Sequence, residues 1–213
     1  MLRSIKNLSK TLGYLSQRKN KKRPAASCNV TVATMAAEIS GFSIGTINGM
    51  SGPDYVMSLL ESKEAWSLLD KYVPGRGCNP WNVSYCIAWA INKAVGKRFC
   101  RVEEVTLEDM LVHISQNKGA IGVGGGFTSK VPATAGHFVC VVGYVIDEDE
   151  AEYPININKI THVIVDDPWG NYLKKYSDSN GDDIEIPVET FKKLVFGKSP
   201  TKKVQMYYQS EVA

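Results

Sequence analysis

One run restricts the fold of this chain more than any other. Residues 138–146 read FVCVVGYVI, with no charged side chain among them. The run is far shorter than the roughly 20 apolar residues that cross a bilayer. Its valines, isoleucine and aromatics favour a strand, and its unbroken apolarity makes that strand a buried one. His137 stands at its head, preceded by Gly136. A second clear strand follows in THVIVDDP, residues 161–168, and ends in Asp166 and Asp167 before a Pro-Trp-Gly turn.

Around these two strands the periodicity predicts helices first and strands later. A helix starts near Ser27 or Cys28 and runs to about Ile39, where Gly41 stops it. SGPDYVMSLLESKEAWSLLDKYVP, residues 51–74, reads as one helix with Pro53 in its first turn. Residues 79–97 give a third, with Asn79 as cap, Pro80 at the first helical position and Gly96 as terminator. Thr106 caps a fourth over 107–117. Strands are expected at 98–105, 120–127, 136–146, 161–168 and 202–209, and a short helix at 186–196. This order gives an α+β fold with an antiparallel sheet. GGGF, residues 124–127, ends its strand and does not make a phosphate loop, because no GxxxxGK[ST] pattern is present.

Composition removes several function classes. No apolar stretch is long enough for a membrane span, and the start of the chain lacks the apolar core of a signal peptide. The expectation is a protein made in the cytoplasm, without a transmembrane segment. Five cysteines with no paired spacing argue against a disulfide framework or a zinc site. Cys86 and Cys140 lie among apolar residues, as small hydrophobes do. Residues 1–23 carry eight basic side chains and no acid, while the rest has 17 basic against 22 acidic groups. Residues 1–23 are therefore read as a basic arm, and 24–213 as the domain. Leu2, Ile5, Leu8, Leu12 and Leu15 fall at helical spacing, so the arm is expected to be an amphipathic helix. Its apolar face would pack on its own domain, bind a partner protein or lie on an anionic surface. The acidic body speaks against broad nucleic-acid binding.

The chemistry centres on Cys28. At the first turn of a helix, unpaired N–H groups and the helix dipole favour a thiolate, the reactive form of cysteine. A histidine would stabilise that thiolate and protonate a leaving group. Of three histidines, His113 sits in a helix among apolar neighbours and His162 begins a strand. His137, flanked by glycine at a strand start, can face a cleft. A third group must orient its ring, and Asp166 and Asp167 point to opposite faces of their strand, so one of them can serve. The plainer reading stays open at this point. Cys28 is then a core residue, His137 a solvated edge residue, and DDPWG a good turn. YSDSNGDD, residues 176–183, offers oxygens of the kind calcium takes, but its spacing departs from an EF-hand loop and a polar turn is favoured.

The order of these motifs resembles papain-like cysteine peptidases: cysteine at a helix start, Gly-His opening an apolar strand, then Asp-Pro-Trp-Gly ending the next. Within them, SQRKNK, SCNVT, GHFVCVVGY and DDPWGNY resemble phage and bacterial members of the branch related to bacteriocin leader peptidases. The resemblance covers roughly residues 16–176. It implies a papain-like fold, with N-terminal helices packed on the antiparallel sheet. It implies Cys28 as nucleophile, His137 as general base and acid, and Asp167, just before Pro168, as the residue that orients His137. It also implies an upstream amide completing the oxyanion hole with the Cys28 N–H. Gln17 is the first choice and Asn20 the second, although Gln17 lies further from the cysteine than is usual in such enzymes.

The function implied is amide hydrolysis in a protein or in a peptidoglycan stem peptide, with no metal and no cofactor. The phage-like relatives imply a role on the bacterial envelope as a virion or tail component. The rival expectation is a non-catalytic protein that keeps the fold and docks onto an assembly through residues 1–23. A third is an effector acting inside a host, directed by the basic arm.

Overall fold

The computed structural model describes residues 3–9, 14–75, 77–127, 136–149 and 154–208. At its centre is β4 (His137–Ile146), the apolar run itself. β5 (Ile160–Asp166) pairs antiparallel along one edge of β4, and β6 (Ile184–Pro187) pairs with β5. On the other edge, β3 (Ile121–Gly125) pairs with the first half of β4, His137 to Val141. β7 (Lys202–Tyr207) lies against β3, and β2 (Cys100–Val105) against β7. β1 (Ser4–Asn7) pairs with the second half of β4, Gly143 to Ile146. Because β5 already holds one edge there, β1 takes the edge that β3 leaves.

Helices cover both faces of this sheet. α1 (Cys28–Ile39), α2 (Gly52–Leu60), α3 (Lys63–Tyr72) and α4 (Ser84–Val95) form one layer. Their Val32, Ala36, Met57, Leu69 and Ile91 share a core with Cys140, Val142, Val145 and Ile164. α5 (Leu107–Ser115) and α6 (Val188–Val195) form the other, where Met110, Ile114 and Phe191 meet Val139, Val141, Tyr144 and Ile146. A strand buried on both faces has no polar position, which explains the unbroken apolarity of 138–146. Burial of each such side chain contributes about 1.5–3 kcal/mol, so this strand anchors the fold.

The α+β class and the antiparallel sheet are as expected, with six helices and seven strands among the described residues. The amphipathic helix expected in the arm is not. Ser4–Asn7 is a strand, Ile5 is half exposed, and Leu8 and Leu15 pack on the domain's own core; Leu2 and Leu12 lie outside the described residues. An open strand edge outweighs a helical stripe that is marginal by itself in water. Gly143 makes the pairing possible, because a Cβ there would stand 2.1 Å from the Lys6 carbonyl oxygen. The described residues of the arm therefore belong to the domain, not to a separate helix.

Two further differences have local causes. The helix read over 51–74 is broken at Ser62, whose hydroxyl accepts from the Ala65 N–H and caps a new helix. Pro80 opens a single 3-10 turn, Pro80–Asn82, and the α-helix begins at Ser84; Gly96 ends it in the left-handed region, as expected.

Candidate active site

Cys28 is the first residue of α1. The helix is apolar almost all round, and Val30, Val32, Ala33 and Ala36 are fully buried. Such a helix belongs inside a domain, and its first residue is where it reaches the surface. Cys28 is half buried there. Ser27 precedes it but does not cap the helix. The Ser27 hydroxyl donates to the Pro24 carbonyl at 3.3 Å and accepts from the Asn20 amide at 2.9 Å. Among the described residues no acceptor faces the Cys28 N–H, so the positive end of α1 opens at the thiol.

His137 heads β4, with Nε2 2.6 Å from Asp167 Oδ1. Nε2 is thereby committed to the carboxylate, and Nδ1 is the nitrogen left toward Cys28, which lines the same cleft as the ring. Burial opposes charge on this ring. The hydrogen bond to Asp167, the neighbouring Cys28 and the charge of Asp167 outweigh it, and the pKa rises to about 9.

Asp167 is completely buried, and its carboxylate is held on both oxygens. Oδ1 also accepts the Trp169 N–H at 2.9 Å, and Oδ2 lies 3.1 Å from the Tyr176 hydroxyl. That hydroxyl also faces the Phe127 carbonyl at 2.9 Å, while the Tyr176 ring stands edge-on to His137 with centroids 6.2 Å apart. Lys175 and Tyr176 both take positive φ, 51° and 63°, an unfavourable backbone held in place by these contacts. Nothing in the sequence pattern singled out Tyr176; a tyrosine nine residues past an aspartate carries no spacing signal.

Asp166 points the other way, as strand alternation requires. It is nearly buried and accepts the Asp183 N–H at 3.0 Å. Burial, and then the charges of Asp182 and Asp183, push its pKa up to about 7. These three carboxylates have oxygens within 4.8 Å of one another. They overlap the segment 176–183 read as a polar turn, in which Asp183 accepts hydrogen bonds from Asn7 at 2.7 Å and Ser9 at 3.1 Å.

The two amides expected at the oxyanion hole are otherwise engaged. Gln17 is buried and donates through Nε2 to the Pro24 carbonyl at 2.7 Å, while its buried Oε1 has no partner among the described residues. Asn20 gives its amide to Ser27 and, at 2.8 Å, to Thr31. Neither lines the cleft at Cys28, so neither is placed as an oxyanion donor. The cleft, of about 480 Å³, is lined by Ala25, Ala26, Asn82, Gly124 and Phe138 around Cys28 and His137. Asn82 presents an exposed amide to it, one the sequence reading passed over as part of a helix start. The loop carrying Asn82 is tied to α1 by Asn29, which donates to the Trp81 carbonyl.

His113 and His162 take no part. His113 is buried, 3.0 Å from the Tyr207 carbonyl, and burial lowers its pKa to about 4. His162 lies beside Thr161 in β5. A larger groove of about 690 Å³ lies near Tyr85, Trp89 and Arg101, but no thiol–histidine pair lines it. Volume alone does not identify the site; chemistry does. What Cys28, His137 and Asp167 can do together is nucleophilic thiol chemistry with proton transfer through one imidazole. No protein-family model matches the chain, and no curated protein matches it.

Proposed function

We propose that this chain is a papain-like thiol hydrolase that cleaves an amide. The observation that carries the reading is the 2.6 Å contact of Asp167 with the His137 ring, which shares one cleft with Cys28 at a helix N-terminus. The resemblance in the order of Cys28, Gly136-His137 and Asp167-Pro168-Trp169-Gly170 supports the same roles.

In this reading His137 Nδ1 takes the Cys28 proton, and Sγ attacks the carbonyl carbon. The oxyanion forms beside the free Cys28 N–H, and the Asn82 amide is the side chain available to assist it. His137 then gives its proton to the departing amine as the C–N bond breaks, leaving a thioester. Water attacks the thioester, His137 accepts a proton from it, and the acid departs with Sγ restored. Asp167 keeps the ring in the orientation and tautomer that each step needs.

The substrate class follows the resemblance: a protein, or the stem peptide of peptidoglycan, met by a phage protein at the bacterial envelope. The competing role is a non-catalytic protein that keeps the fold and docks through residues 1–23; the use of Ser4–Asn7 as a strand of the domain weighs against it. The test is to incubate the protein with purified peptidoglycan and with unfolded proteins, and to look for new amino termini by mass spectrometry. New termini that vanish with Cys28→Ala support the proposal. Cleavage that persists in Cys28→Ala would overturn it.

A further inference from the structure

Residues 14–20 touch both the turn that presents Asp167 and the start of α1. Tyr14 donates its hydroxyl to the Asp167 carbonyl at 2.5 Å. The Pro168 carbonyl accepts the Gln17 N–H at 2.9 Å and the Ser16 hydroxyl at 3.3 Å. Arg18 Nε donates to the Trp169 carbonyl at 2.7 Å, and its guanidinium lies 4.7 Å from the centre of the Trp169 ring. Three consecutive carbonyls of the turn that presents Asp167 are thus held by one short segment. The segment is itself fixed at both ends. Upstream, β1 pairs with β4, the strand that begins at His137, and the Leu8 N–H bonds the Val142 carbonyl. Downstream, Asn20 bonds Ser27 and Thr31 at the start of α1, and the Lys22 N–H bonds Asp54 at 2.8 Å.

The turn closes on itself through one bond, the Gly170 N–H to the Asp167 carbonyl at 3.1 Å. Pro168 has no N–H to give, and the three carbonyls point away from the carboxylate they serve. From inside the turn the carboxylate is braced by the Trp169 N–H, and from behind the backbone is braced by the Gly181 carbonyl on the Asp167 N–H at 2.8 Å. The remaining freedom is a rocking of the peptide planes, which would carry Asp167 Oδ1 away from His137. The strap blocks that motion. A bond of 2.6 Å between ring and carboxylate tolerates little displacement, since hydrogen-bond strength falls steeply with poor alignment.

We infer that Tyr14 and Arg18 are positioning residues for Asp167, and that the strap at residues 14–20 is part of the catalytic unit, not a removable arm. The inference rests on the thiol-hydrolase reading for its catalytic meaning. Its structural content, that the strap sets the Asp167–His137 contact, can be tested without a substrate.

The probe is the imidazole of His137, followed by NMR titration in the full chain, the Tyr14→Phe variant and the Arg18→Ala variant. Tyr14→Phe removes one hydroxyl and keeps the ring, while Arg18 is exposed, so its removal does not touch the core. Both variants should keep the melting temperature within a few degrees. Both should titrate His137 at lower pH than the parent, and kcat should fall about tenfold at unchanged KM, the size expected for one lost hydrogen bond to the site. A purely structural role would lower the melting temperature and leave the His137 titration where it was. An unchanged titration in both variants overturns the strap, even if the parent protein is an active hydrolase. A lowered titration in variants of a protein that cleaves nothing supports the strap and counts against the hydrolase.

Discussion

Replacing Asp167 by asparagine removes one charge from the site and little else. Asparagine keeps an acceptor at Oδ1 for His137 and for the Trp169 N–H. Its new N–H₂ faces the Tyr176 hydroxyl, which can accept it while donating to the Phe127 carbonyl, 2.9 Å away. The Trp169 N–H and the Tyr176 hydroxyl therefore keep their acceptors, and the fold should survive. What is lost is the attraction between the carboxylate and the charged ring. In the native protein, burial alone would lower the His137 pKa, yet the hydrogen bond to Asp167, with Cys28, raises it from 6.5 to about 9. That rise corresponds to about 3 kcal/mol of stability. Because the folded pKa is the higher one, this stability is fully present below about pH 6.5 and is lost as pH rises through about 9. Denaturant unfolding of the two proteins should therefore differ by on the order of 2–3 kcal/mol at pH 6. The gap should shrink by that amount at pH 10. NMR should find His137 of Asp167→Asn titrating well below 9. A stability gap that is the same at both pH values, or a variant His137 that still titrates near 9, would refute the assignment of the charge to Asp167.

The carboxyl of Asp166 is held up at about pH 7 by burial and by Asp182 and Asp183. Its folded pKa exceeds the unfolded one, so the native state binds the extra proton and stability falls as pH rises from about 4 to 7. Asp166→Asn should thus raise the melting temperature at pH 8 and have little effect at pH 4, as scanning calorimetry would record. Gly143→Ala places a Cβ 2.1 Å from the Lys6 carbonyl oxygen, which is backbone and cannot rotate aside. It should cost about 1–3 kcal/mol and strip hydrogen-exchange protection from residues 4–7, with β3 unaffected. Protection that persists there would mean that β1 does not depend on that close approach.

Much of the framework was legible because it rests on strong local signals. The apolar run at 138–146, the Thr106 cap and the Gly96 terminator each specify an element by themselves. Cys28 and His137 stood out as residue types at element boundaries; strand alternation allowed only one of Asp166 and Asp167 to serve, and the choice of Asp167 came from the resemblance. The arm was not legible. Its leucine spacing is a true helical pattern, but the open edge of β4 past Val141 is a long-range feature that no window of sequence contains. Tyr14, Arg18 and Tyr176 escaped for the same reason: each acts on the Asp167 turn across more than a hundred residues or through a strained backbone. Gln17 and Asn20 came from resemblance, and their amides are engaged by Pro24, Ser27 and Thr31, bonds that depend on how the 3-10 turn at Pro24–Ala26 folds back.

The most direct measurement is selective alkylation of the native protein. Cys86, Cys100 and Cys140 are buried, and burial raises the pKa of each thiol, to about 11 at Cys86. They should stay unmodified, which leaves Cys28 and Cys78, both half buried, to compete. With limiting iodoacetamide at pH 6, the adduct should map to Cys28, and His137→Ala should abolish that preference. Labelling of Cys78 ahead of Cys28, or labelling of Cys28 that is indifferent to His137→Ala, would contradict a thiol–imidazole pair at the start of α1.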